Sequence, residues 1–484
     1  MKKSALTIFL LLVIVCSLVL INAIQSGRAQ SGTNVNGVLT TNTTWTQAGS
    51  PYTFTGPVAV YAGVTLTIQP GVTINMGSNT LQVNGTLVAI GTSTNYIEIN
   101  GGGQSFAVID FTSVSNGWSE QTNSGSIIQY ANVTGASIGL ESPAKIDHNI
   151  LSGNILMSSV VGGTCGVISN NFVTASYGNG IGVGGNASVV NNIVTGAVWG
   201  GIDIVSGSPT IQGNLVIGNM GWNGVMPQGG IVIQNGNNYA NIQITPEIQY
   251  NTITNNNAGI TLADPASGQN IQPVITNNNI YGNQKYNVYL NQLYYNVSLA
   301  NNWWGITGTQ AINQTIYDYK DNYNLGNVTF VPFLTAPNNQ APTYINATAG
   351  TGGSISPSGV ISANYGGSQS FTITPNNGYY ISAVLVNGTS VGAVSTYNIQ
   401  NVNGATTISA AFALTPAPTP SPTATPTSTT TSTPAPSPTG GPNSTPTSTP
   451  TSTPAVPEFS WLAMLPLFLS MLSIAVMLRH RKTA

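Results

Sequence analysis

The pattern that most restricts this chain is a phrase repeated across residues 146–305: an aliphatic residue, two variable residues, then Asn. It occurs at Ile146/Asn149, Ile168/Asn171, Val189/Asn192, Ile211/Asn214, Ile248/Asn251, Ile275/Asn278 and Leu299/Asn302, with Asn-to-Asn steps of 22, 21, 22, 37, 27 and 24 residues. A second phrase follows most of them: Gly180-Ile181-Gly182-Val183, Gly201-Ile202-Asp203-Ile204, Gly230-Ile231-Val232-Ile233, Gly259-Ile260-Thr261-Leu262 and Asn287-Val288-Tyr289-Leu290. A unit of about 22 residues thus holds two or three short alternating strands. A fixed period of this size means stacked units, none of which can bury an apolar face alone.

Leucine-rich repeats share the length but need a helical leg, whereas β-branched residues dominate here. The expectation is an all-β chain whose main body, residues 35–335, is a right-handed parallel β-helix, each coil adding a rung of about 4.8 Å. Two structural roles suit the repeated Asn149, Asn171, Asn192, Asn214, Asn251, Asn278 and Asn302. Asn tolerates the left-handed turn conformation, and its amide can ladder between coils. The Asn-Asn-aliphatic phrases and the closing Asn301-Asn302-Trp303-Trp304-Gly305 resemble the parallel β-helix repeat family, which is similar to the pectate-lyase superfold. The resemblance implies a fold and leaves activity open, since this fold hosts many functions.

Charged residues make up only 4% of the chain, and residues 31–456 keep just Lys145, Lys285 and Lys320 as cations, with no Arg. That leaves no basic patch for nucleic acid. Of the two cysteines, Cys16 lies in an N-terminal apolar run, and Cys165 reads as a small buried residue. Lys2 and Lys3, the apolar run and Gly27-Arg28-Ala29 make residues 1–29 a secretory signal peptide, with an uncleaved anchor as the alternative. Strand phrases fill residues 35–100, and capping of the first coil is assigned to residues 35–60. Insertions are expected between Asn219 and Gly229, near Asn235–Pro246 and near Asp264–Pro273, as loops on one flank. Tyr317, Tyr319, Tyr323, Phe330 and Phe333 are assigned to a closing aromatic plug.

Residues 342–413 form a small β domain with Asn377-Gly378 and Asn387-Gly388 turns. The phrases around Gly352-Gly353-Ser354-Ile355 and Phe371-Thr372-Ile373-Thr374-Pro375 resemble small bacterial β repeats of the internalin B-repeat type, surface modules without catalysis. Residues 415–457 are Pro, Thr and Ser almost throughout, a composition that cannot build a core and suits a disordered, O-glycosylated stalk. The apolar run 459–478 is long enough to be a C-terminal transmembrane helix, and the basic tail 479–484 places its end inside. Pro457-Glu458-Phe459, the span and the basic tail resemble archaeal C-terminal sorting signals of the PEF-CTERM type. That resemblance implies replacement of the span by a lipid; a permanent membrane anchor is the alternative. Either way the body stands on the extracellular face of the cell membrane. Asn42, Asn84, Asn132, Asn186, Asn296, Asn313, Asn327, Asn346, Asn387 and Asn443 each begin an Asn-X-Ser/Thr sequon.

The acids of the body are Glu98, Asp110, Glu120, Glu141, Asp147, Asp203, Glu247, Asp264, Asp318 and Asp321, and none forms an adjacent pair except through folding. A polysaccharide hydrolase needs two carboxylates flanking one bond; Asp147 and Asp203 are 56 residues apart, which is no whole number of ordinary coils. The middle positions of the second phrase (Gly182, Asp203, Val232, Thr261, Tyr289) should point away from the core as a mixed exposed face. Trp303 and Trp304 read as packing residues, and Tyr289, Tyr294 and Tyr295 as candidate sugar platforms. No catalytic residue, metal ligand or cofactor is assigned. The expected role is structural or adhesive, in contact with glycans or an envelope layer such as an S-layer. A polysaccharide lyase or hydrolase is the alternative, recognisable by acids gathered near Lys145, Lys285 or His148.

Overall fold

The computed structural model describes residues 32–102, 107–157, 166–175, 178–221, 229–235, 243–265 and 270–416. The expected leader, span and basic tail, nearly all of the stalk, Cys165, Asn443 and Pro457-Glu458-Phe459 lie outside them. Among the described residues no helix is long and apolar enough to cross a membrane.

One coil shows how the body is built. Val167–Ser169 is followed by Phe172–Thr174 and Ile181–Val183. The next strand, Ser188–Val190, lies parallel on Val167–Ser169 with Ile168 opposite Val189. Repetition of this step yields a ten-stranded parallel sheet and a 21-stranded sheet whose strands stack as two further legs. The arrangement is that of a parallel β-helix. Ile168, Val173, Ile181, Val183 and Val189 all point inward and are fully buried, in one core that runs from Trp45 to Phe330. Each such side chain stabilises by about 2 kcal/mol, whereas ordering a coil of about 22 residues costs about 1.5 kcal/mol per residue. A lone coil therefore cannot fold, and only stacking closes the balance.

The repeated Asn divides its two expected roles with a neighbour. The left-handed conformation falls on the residue before it: His148 (φ 54°), Asn170 (56°), Asn191 (57°), Tyr250 (56°), Asn277 (62°) and Asn301 (60°), with Gly213 (66°) in the same column. The ladder Asn itself is buried, and its amide links coils. Asn149 Nδ2 donates to Asn171 Oδ1 (3.0 Å), Asn171 to Asn192 (2.9 Å), Asn192 to Asn214 (3.0 Å), Asn214 to Asn251 (2.9 Å), Asn251 to Asn278 (2.9 Å) and Asn278 to Asn302 (3.0 Å). A second column lies five residues on: Asn219 donates to Asn256 (2.9 Å) and Asn256 to Asn283 (3.1 Å), and Asn283 then donates within its own coil to Asn287 (2.9 Å).

Residues 35–60 do not cap the first coil from outside; Thr33–Leu39 and Thr43–Trp45 are that coil, and Tyr52–Val60 opens the second, stacked parallel on Thr33–Leu39. Its end is filled from within by Trp45, stacked on Tyr52 (ring centroids 4.8 Å) and edge-on to Phe54 (6.0 Å). At the other end Trp304 meets Phe330 (6.1 Å) and Phe330 meets Phe333 (6.4 Å), beside the short helix Thr309–Gln314. Tyr319 and Tyr323 are exposed and take no part, because the helix and Trp304 already fill the space. The long connections after Gly229–Gln234 and Ala258–Ala263 fall on one corner, leading into the ten-stranded sheet; the one after Leu215–Ile217 falls on the next corner, so the insertions use two flanks.

The small domain packs with the solenoid as one compact unit. Its five-stranded and three-stranded sheets enclose Ile345, Phe371, Ile373, Val384 and Ile408. Asn387 (φ 48°) and Gly388 (79°) form the tight turn joining two of its strands. Asn255 Nδ2 to Tyr344 Oη (3.0 Å) and Thr252 Oγ1 to the Pro342 carbonyl (2.5 Å) tie it to the solenoid wall.

Candidate functional site: a groove on the ten-stranded sheet

Residues 112–126 leave the coil and fold back over the outer face of the ten-stranded sheet. The loop is pinned by Trp118 N–H to the Pro143 carbonyl (3.0 Å), by Ser119 N–H to the Ser124 carbonyl (2.8 Å) and by Ser126 Oγ to the Asn116 carbonyl (2.9 Å). Gly125 is required there: its φ is +118°, and a Cβ would stand 2.1 Å from the Gly117 carbonyl oxygen. Between loop and sheet lies an open groove of about 630 Å³ bordered by Thr86, Val88, Asn116, Trp118, Gln129 and Lys145. The Lys145 ammonium stands 5.0 Å from the centre of the Trp118 ring, a cation–π contact. The indole N–H donates to Glu120 Oε1 (2.6 Å), which fixes the ring plane. Among the described residues Lys145 has no carboxylate within ion-pair distance, whereas Lys320 is engaged by Asp318 (3.1 Å) and Asp321 (2.9 Å).

Lys145 and Asp147 occupy the same outer face of the strand Lys145–Asp147, with Ile146 turned inward. Asp147 Oδ1 accepts from Ser169 Oγ (2.6 Å) and Asn170 Nδ2 (2.9 Å); Oδ2 accepts from Gln129 Nε2 (2.7 Å) and lies 3.0 Å from His148 Nδ1. Burial pushes the Asp147 carboxyl up, but these donors outweigh it and hold the group below its ordinary value. A carboxylate offers about four lone-pair positions, and here four neighbours face them. Asp147 is therefore a fixed anion held by Gln129, Ser169 and Asn170, with His148 Nδ1 in ion-pair reach.

His148 stacks obliquely on Tyr130 (4.9 Å), and Tyr130 meets Tyr96 edge-on (5.9 Å), giving an aromatic strip along the corner beside the groove. Both Tyr130 (φ 50°) and His148 are held in the left-handed region, where a non-glycine residue is strained.

Other expected residues fall elsewhere. Asp203 is not on an exposed face: it is 5% exposed, and Val232 and Thr261 in its column are 1% exposed. A second layer covers them. Asn179 Nδ2 (2.7 Å) and Gln234 Nε2 (2.8 and 2.9 Å) close over the Asp203 carboxylate. A Cβ on Gly200 would sit 2.9 Å from Val232 Cγ2. Burial raises Asp203 to about 6, against the lowering effect of those two amides. Asp203 and Asp147 lie on different legs, so they do not form a pair. Asp264 accepts from Tyr295 Oη (2.8 Å), the Asn270 N–H (3.0 Å) and Asn235 Nδ2 (3.1 Å), which makes Tyr295 a packing residue and not a platform. Tyr289 stacks on Tyr317 (4.8 Å), leaving Tyr294 as the exposed one of the three. Lys285 and His148 are not brought together.

Besides Asp318 and Asp321, which share Lys320, the described residues bring one more pair of acids near each other. Asp110 lies opposite Gly139 on the next coil, and Glu141 continues two residues on, with its N–H bonded to the Phe111 carbonyl (2.8 Å). Sheet geometry puts their Cα atoms about 8 Å apart. Burial, then the Glu141 charge, raises the Asp110 carboxyl. Among the described residues, no group of three or more His, Cys, Asp or Glu could hold a metal ion. The groove escaped sequence reasoning because Trp118 lies in a stretch without repeats; its one signal is a lone Trp between two Ser/Gly turns. No family model matches the chain, and no curated protein or solved structure matches it either.

Proposed function

We propose that the chain is a cell-surface protein whose β-helix, right-handed and of the pectate-lyase-like superfold, binds glycan in the groove on its ten-stranded sheet without cleaving it. The C-terminal segment would tether it, through a membrane span or, after sorting, a lipid, and the Pro/Thr/Ser stretch would hold it clear of the envelope. The observation that carries this reading is Trp118 beneath Lys145 in a groove of amides and hydroxyls. An indole face packs on the C–H face of a pyranose ring, Asn116 and Gln129 suit its hydroxyls, and an ammonium with no carboxylate partner suits an acidic sugar. Binding of full-length protein to an array of acidic and neutral glycans tests it. Trp118→Ala and Lys145→Ala should each weaken binding at least about tenfold, which is about 1.4 kcal/mol. Unchanged affinity in both variants would refute the groove as the site.

Asp110 and Glu141 favour a second reading, a polysaccharide hydrolase or lyase, because two acids on neighbouring coils of one outer face can flank a glycosidic bond. New reducing ends or unsaturated products from acidic polysaccharide, with or without Ca²⁺, would support it if Asp110→Asn abolished them.

A further inference from the structure

Four of the sequons share one position on the coil. Asn42 lies between Thr33–Leu39 and Thr43–Trp45, and Asn84 between Thr80–Val83 and Thr86–Ile90. Asn186 lies between Ile181–Val183 and Ser188–Val190, and Asn296 between Tyr286–Asn291 and Val297–Ser298. All four therefore sit at one corner of the solenoid, the one that leads into the ten-stranded sheet or its two-stranded continuation. Three of them share a geometry. Asn42 Oδ1 accepts the Thr65 N–H (2.9 Å), Asn186 Oδ1 the Ser208 N–H (2.8 Å) and Asn296 Oδ1 the Asn327 N–H (2.8 Å), each from the following coil. These side chains are exposed, and among the described residues their Nδ2 atoms have no hydrogen-bond partner.

We infer that Asn42, Asn186 and Asn296 carry N-linked glycans as a row along this corner, and that the coil geometry selects them from the other sequons of the solenoid. In the transfer, Nδ2 attacks the anomeric carbon of a lipid-phosphate-linked oligosaccharide. The C–N bond forms, the C–O bond to phosphate breaks with its electron pair leaving on phosphate, and one amide proton passes to a base of the transferase. Oδ1 is untouched, so its bond to the next coil survives the modification. The sequon hydroxyls follow at the start of the next strand, with Thr44 and Ser298 exposed. Asn132 is different: it is half-buried within a strand, and its Nδ2 donates to Glu98 Oε2 (2.9 Å). Asn84 is half-buried beside the 112–126 loop, its Oδ1 held by Thr112 Oγ1 (2.8 Å). Asn327 points its Nδ2 at Asn296 Oδ1 (3.4 Å) on the neighbouring coil, where a second glycan would collide with the first.

The test is glycopeptide mapping of the full chain exported from a host with an N-glycosylation system, a control glycoprotein being occupied in the same cells. Enzymatic glycan release in heavy-oxygen water converts each occupied Asn to labelled Asp. Label at Asn42, Asn186 and Asn296 but not at Asn132 or Asn84 is the expected result. A bare row, or Asn132 labelled as fully as Asn186, overturns the proposal. Asn186→Asp keeps the acceptor for Ser208, and Ser188→Ala keeps Asn186 itself; each should remove the mass of one glycan with the melting temperature unchanged. Full retention of mass in either variant also overturns it.

Discussion

Asn192 shows what one side chain does in this fold. Its Oδ1 accepts the Asn171 N–H (3.0 Å) and Nδ2 (2.9 Å), and its Nδ2 donates to Asn214 Oδ1 (3.0 Å), the Ile168 carbonyl (2.9 Å) and the Val190 carbonyl (3.1 Å). Asn192→Ala removes these bonds and leaves buried polar groups of Asn171 underpaired, at a cost of about 3 kcal/mol. Asn192→Asp should cost more, because a carboxylate would face three acceptor oxygens with no donor of its own. Urea unfolding of the two variants orders them; equal stability of Asn192→Asp and wild type would contradict the ladder. Much of this was legible in the chain, since Ile-X-X-Asn sets the column at once. The second column was legible too, at five residues beyond Asn214, Asn251 and Asn278, but earlier coils break it with Ser176 and Ala197. The left-handed positions were not, because Tyr130 and Tyr250 carry no local sign of that conformation; the packed corner imposes it on them.

At the scale of the sheet, period-two alternation identifies the inner face and leaves the outer one undetermined. Asp203 faces away from the core as its position in Gly-Ile-Asp-Ile requires, yet Asn179 and Gln234 bury it. Those residues are 24 and 31 positions away, on other coils, so no window of the sequence places them. With a folded value near 6 against an ordinary 3.8, Asp203 favours folding most when protonated. Its contribution is complete below about pH 4 and is lost as pH rises through about 6, for a difference of about 3 kcal/mol. Asp203→Asn should therefore raise the melting temperature at pH 7.5 and leave it nearly unchanged at pH 4. An equal gain at both values would mean that the charge is not the cause. The groove illustrates the same limit, since Trp118 and Lys145 meet only because the 112–126 loop returns across the sheet.

Across the molecule, hydrogen bonds and burial hold the coils together with almost no help from charge. Among the described residues the ion contacts are those of Lys320 with Asp318 and Asp321, and of His148 with Asp147. In each the cation stays partly in water, His148 42% and Lys320 32% exposed, so the pairs contribute little and are partly screened by salt. The melting temperature should shift by less than about 3 °C between low salt and 1 M NaCl; a change of about 10 °C would point to long-range charge coupling instead. The two Asn columns add something that neither burial nor charge provides. In the long column each Nδ2 from Asn149 to Asn278 donates forward to the next Oδ1 and also back to a carbonyl of the preceding coil, as Asn149 does to Ile128 (3.0 Å) and Asn278 to Ile248 (2.8 Å). Each such Asn therefore stitches three coils, accepting from the coil before, donating to the coil after and returning a bond to a carbonyl of the coil before. The last amide of the long column, Asn302, gives its Nδ2 to the carbonyls of Ile275 (2.8 Å), Leu299 (2.9 Å) and Ala300 (3.2 Å) instead of to a further Asn. A coil inserted anywhere along the column must present an Asn in the same orientation, oxygen toward the N-terminal neighbour and nitrogen toward the C-terminal one, or the stitch is broken.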